Sequence, residues 1–177
     1  MLRLLKLLII AMLVGGVIVL AQDRSQSPSS HVQDSSPFPE IDPSALNKIG
    51  IPVRFPIFLP ETGGAKIFAV IREANAGQYN ILLAAVLPCG GGNACTYGSV
   101  EGSRQPLDPV LGKTIRVVLG DGIVGHFTAT QCHAFCSQAY IRWEERGVYY
   151  SIGVKAGRKR ALIKAAQSAL ASSRQSR

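Results

Sequence analysis

A chain of 177 residues has room for one hydrophobic core, and is too short for two ordinary domains once an apolar leader is set aside. Hydrophobic residues make up 47%, yet the one long uninterrupted apolar run lies at the N-terminus, so the body reads as a soluble domain. The net charge is +8, and loss of Arg3 and Lys6 with the leader leaves 17 basic against 11 acidic residues, or +6; outside the cytoplasm such a surface meets anionic polymers or lipid headgroups, and nucleic acid is not an expected partner.

Residues 1–21 read as a signal peptide. Arg3 and Lys6 precede an apolar stretch broken only at Gly15 and Gly16, and Val19-Leu20-Ala21 supplies small residues at the minus-three and minus-one positions of a cleavage site. An uncleaved anchor is the alternative, but a spanning helix needs roughly 20 apolar residues and this core has fewer. The expected location is periplasmic or extracellular. Residues 22–43 are dense in Ser, Gln, Asp and Pro, a composition that cannot bury enough apolar surface to offset ordering entropy, and they read as a disordered tether. The globular domain is expected over 44–172, with a disordered tail at 173–177.

Within the domain, Asp42-Pro43-Ser44 reads as a helix start and Gly50 as its stop, giving a short turn of helix over 44–49. Residues 51–60 (IPVRFPIFLP) carry three prolines, which forbid a central strand and predict an extended segment along an edge. Three hairpins follow. Strands at 66–73 and 78–87 flank Ala74-Asn75-Ala76-Gly77; strands at 114–119 and 123–130 flank Gly120-Asp121-Gly122; strands at 138–144 and 148–154 flank Glu145-Arg146-Gly147.

In the third hairpin Ala139, Ile141 and Trp143 alternate with Tyr140, Arg142 and Glu144. Val148, Tyr150, Ile152 and Val154 alternate with Tyr149, Ser151 and Lys155, so one face is buried. Residues 158–171 place Leu162, Ile163, Ala166, Ala169 and Leu170 at helical spacing. The fold class is therefore α+β: an antiparallel sheet of about six or seven strands with a C-terminal amphipathic helix packed on one face.

Cys89 and Cys95 enclose one short loop, and Cys132 and Cys136 another. Four cysteines allow three connectivities; in an exported chain two local disulfides are expected, each at a bend, because bridged Cα atoms lie within roughly 7 Å. Loops this short contribute only about 2 kcal/mol each, so they pin local geometry. A metal site built from the four thiols, with His126 or His133, is the alternative; zinc prefers two to four intervening residues, and the first pair has five. No metal or other cofactor is assigned.

Catalytic chemistry is poorly supplied. His31 lies in the tether and His133 between two cysteines, which leaves His126 as the candidate base of an envelope hydrolase. A half-solvated strand histidine is the simpler reading of it. Glu144 and Glu145 fall at a turn, where solvent would keep both ionised. No catalytic residue is assigned. Tyr140, Trp143, Tyr149 and Tyr150 could form a binding face, although aromatic alternation is more often core or cross-strand pairing.

Lys155, Arg158, Lys159, Arg160 and Lys164 form the densest positive charge after the leader. Cations at a helix N-terminus oppose the macrodipole, so helix stability does not explain them. They read either as a solvated face or as a contact to anionic envelope polymer or lipid.

The run over 139–170 resembles the end of an uncharacterised extracytoplasmic domain found at the outer face of membrane-anchored bacterial regulators. Trp143, Glu144, Gly147 and Tyr150 match its terminal hairpin, Ala166, Ser168 and Leu170 approximate its helix, and residues 51–60 are similar to its proline-bounded entry. The cysteine pairs look more like secreted cyanobacterial proteins. The resemblance implies a non-enzymatic envelope module and carries over no site residue; the ligand expected for such a module is an anionic polymer, a lipid surface or a protein. Oligomeric state is not legible.

Overall fold

Short turns that tolerate positive φ set the architecture. In the computed structural model, which describes residues 46–60 and 62–172, β1 (Phe68–Ala74) and β2 (Gln78–Ala84) meet at an Asx turn. There the Asn75 side-chain oxygen accepts the N–H groups of Gly77 and Gln78 at 2.9 and 3.0 Å. β4 (Thr114–Gly120) and β5 (Ile123–Thr128) are joined by Asp121-Gly122, and β6 (Gln138–Glu145) and β7 (Val148–Lys155) by Arg146-Gly147. Both two-residue loops have positive φ throughout, 48° and 75° in the first, 53° and 73° in the second. This conformation matches the twist of the flanking strands, so Gly120 and Glu145, expected in the turns, join the ladders instead.

With β3 (Thr96–Ser103) the strands form one antiparallel sheet in the order β1-β2-β3-β7-β6-β5-β4. A C-terminal helix, α1 (Lys159–Ser172), packs against β4, β6 and β7. The α+β class therefore holds. No helix among the described residues is long and apolar enough to cross a membrane. The leader, the tether and the tail lie outside the described residues. Of the expected turn at 44–49, its end is described: the Ile49 N–H donates to the Leu46 carbonyl at 3.0 Å.

The core lies between the sheet and α1. Ala139, Ile141 and Trp143 of β6 and Val148, Tyr150, Ile152 and Val154 of β7 are buried against Leu162, Ala165, Ala166, Ala169 and Leu170 of the helix. Trp143 stacks on its cross-strand partner Tyr150 with ring centroids 5.3 Å apart, a pairing worth about 1 kcal/mol beyond burial.

The proline segment departs from expectation. It lies on the helix-side face of the sheet, with Pro56 and Pro60 fully buried, and not along an edge. Lacking proline donors, it cannot complete a ladder, so its carbonyls accept from side chains. The Tyr150 hydroxyl donates to Pro52 at 3.1 Å, Tyr97 donates to Pro60, and Ser172 at the end of α1 donates to Phe55 at 3.4 Å.

Other strand boundaries moved too, β1 running over Phe68–Ala74 and β7 reaching Lys155. β2 stops at Ala84, leaving Val86 and Leu87 exposed at the entry to the first cysteine loop, and β5 stops at Thr128. β3 was not among the expected strands. Its regular core-side positions are Gly98, Val100 and Gly102, of which only one carries an apolar side chain, and Tyr97, at a register shift, also packs on the core. Gly102 is required: a Cβ there would strike the Tyr79 ring.

Candidate binding face

The sheet face turned away from α1 is polar, and its register concentrates that polarity. Across the seven strands one transverse row reads Glu73, Asn80, Glu101, Ser151, Arg142, His126 and Arg116, each opposite the next. Alternation along each strand puts these residues on one side, and pairing between strands puts them in line.

The connection between β3 and β4 crosses this row. Four successive antiparallel pairings separate the two strands, so they point the same way and residues 104–113 must run from one end of the sheet to the other. Arg142 fastens this strap by donating from Nη1 to the Asp108 carbonyl. Its Nε lies 3.4 Å from Ser151 Oγ and its guanidinium sits 5.3 Å from the Tyr140 ring centre.

Clefts open on both sides of the strap. One, of about 460 Å³, is lined by Glu73, Asn80, Glu101, Asp108, Tyr140 and Arg142 among others. The other, of about 640 Å³, includes Leu107, His126, Arg142, Glu144, Arg146 and Tyr149. Arg142 lines both.

Glu101 sits in this row between Asn80 and Ser151. Burial pushes its carboxyl above the ordinary value of 4.5, opposed by Arg142 and by hydrogen bonds from Ser99 and Asn80, whose Nδ2 donates at 3.1 Å. Burial likewise raises the Tyr140 hydroxyl, with Glu101 adding to the shift. A partly desolvated carboxyl, a guanidinium, an amide and a phenol on one rigid sheet can present donors and acceptors to a ligand without reorganising.

The residues singled out from sequence are distributed as follows. All four cysteines are oxidised, as Cys89–Cys95 and Cys132–Cys136, with Cα separations of 5.7 and 4.0 Å. That local pairing agrees with expectation and leaves no thiolate for a metal site. Both loops lie at the end of the sheet opposite the hairpin turns, and between them Lys155 donates to the Asn93 carbonyl.

Lys155 is thus on the polar face, parted from the rest of the basic cluster. Arg158, Lys159, Arg160 and Lys164 are exposed, with Arg160 and Lys164 one turn apart on the side of α1 away from its buried stripe. His126 is exposed between Arg116 and Arg142, neither of which is the carboxylate that orients a general base. His133 lies exposed inside the second cysteine loop.

Of the aromatics, Trp143 and Tyr150 are core, while Tyr140 and Tyr149 lie on the polar face. Glu145 corrects the picture of two solvated turn carboxylates. It receives a two-pronged clamp from Arg54, Nε to Oε2 at 2.9 Å and Nη2 to Oε1 at 2.6 Å, with side-chain exposures of 8% and 16%. The signal in the sequence was an arginine inside an otherwise apolar proline segment.

Comparison with protein-family models, curated proteins and solved structures finds no match for this chain.

Proposed function

We propose that the chain is a non-catalytic, exported binding module of the cell envelope, pinned by its two disulfides, whose ligand lies on the polar sheet face beside the strap. The observation that carries this reading is the transverse row with its two clefts: a face needed only for solubility does not require a strap over it or a half-buried carboxyl beneath. Two disulfides fit an oxidising compartment. The likeness of residues 139–170 to domains at the outer face of membrane-anchored regulators favours the same location.

A second reading has its own observation. The cleft holding Glu73, Glu101 and Asp108 against one guanidinium suits an uncharged ligand or a protein segment more than a polyanion, whereas exposed Arg160 and Lys164 suit an anionic polymer or lipid surface. Co-sedimentation of the purified protein with wall fragments and with anionic vesicles separates the two. Binding lost in Asn80→Ala/Glu101→Gln and insensitive to salt supports the polar face. Binding lost in Arg160→Glu/Lys164→Glu and falling steeply with ionic strength supports the helix. Retention in both variants would reject both sites.

A further inference from the structure

The two edges of the sheet are built differently. β1 is guarded: its register shifts between Ile71 and Glu73, charged Arg72 and Glu73 are exposed there, and the Lys66 ammonium covers the Phe68 ring at 4.7 Å. Bulges and charges of this kind keep an edge from pairing with another chain. β4 carries few such devices. Among the described residues β5 is its one strand neighbour, Ile115 and Val118 are 41% and 71% exposed, and Leu111 just before the strand is 81% exposed. Arg116 is the single charge in its sequence TIRVVLG.

From this contrast we infer that the β4 edge pairs antiparallel with β4 of a second copy, about a twofold axis through Val117, joining two seven-stranded sheets into one. The partner follows from the register. An antiparallel edge is self-complementary under a twofold axis, and residues on one face meet only residues of that face. Centring on Arg116 would set two guanidiniums opposite each other. Centring on Val117 sets Arg116 against Val118 of the other copy, twice, so the most exposed apolar side chain of the strand is covered by an arginine stem and no like charges are directly opposed. Ile115 then meets the region of Leu119. The irregularity of β4 falls between Val118 and Gly120, beyond the pairs that flank the axis.

Sedimentation velocity over a dilution series of the purified protein, disulfides intact, tests this. The protein is expected to dimerise reversibly, more tightly as salt screens its net positive charge. Val118→Lys places like charges opposite each other at both pairs and should weaken the dimer about tenfold or more. Since Val118 is largely exposed, that variant keeps the fold, which circular dichroism checks. Arg116→Glu added to Val118→Lys makes both pairs attractive and should restore the dimer. A protein that stays monomeric at every concentration overturns the inference. So does a dimer indifferent to Val118→Lys, or one that the second substitution fails to restore.

Discussion

Arg54 and Glu145 join the proline segment to the β6–β7 turn through a two-pronged ion pair that is largely out of water, with Tyr150 beneath the guanidinium at 6.0 Å. Removing one partner of such a pair strands the other charge, so Glu145→Gln should lower unfolding stability by about 3 kcal/mol in urea titration. Arg54→Met/Glu145→Leu should cost much less than the sum of the two single changes. Glu101 acts in the opposite sense. Its folded carboxyl titrates above its unfolded value, so the folded state holds the proton longer. Its contribution is most favourable below about pH 4.5 and declines as pH rises through the folded value. Glu101→Gln should flatten that decline, leaving the variant more stable relative to the parent at neutral pH than at acid pH. A parallel pair of stability curves would contradict this account.

At the scale of elements, α1 is held by a narrow stripe in which three of five buried residues are alanine. Small side chains let the helix axis approach the sheet closely, and Leu162, fully buried, supplies the bulk. Leu162→Ala should therefore cost about 3 kcal/mol, whereas Arg160→Ala on the outer side of the helix should change stability by less than about 0.5 kcal/mol. Thermal denaturation of the two variants checks the direction of packing. The hairpins and the helix were legible because period two and period 3.6 survive in their sequences. β3 was hidden because glycine at Gly98 and Gly102 erases the apolar alternation. The glycines are there for neighbours on other strands: a Cβ at Gly98 would strike the Gly153 carbonyl, and one at Gly102 the Tyr79 ring.

For the whole molecule, the expectation of export joins the leader to the disulfides. The intact mass of protein isolated outside the cytoplasm should correspond to a chain beginning near Gln22, and its four thiols should alkylate only after reduction. Thiols that alkylate without reduction would contradict the oxidised state of both loops.

Sequence alone determined the antiparallel hairpins and the amphipathic helix and favoured the local pairing of the cysteines, because each rests on residues close together along the chain. Tertiary structure decided the rest. The strand order turns the β3–β4 connection into a strap, and the cross-strand register lines Glu73, Asn80, Glu101, Ser151, Arg142, His126 and Arg116 into one row. It also parts Lys155 from the basic cluster to which it belongs in sequence, and brings Arg54 to Glu145 across 91 positions. Periodicity says which side of its own strand a residue faces; which neighbour it meets depends on packing between segments far apart, where burial and hydrogen bonding select one register.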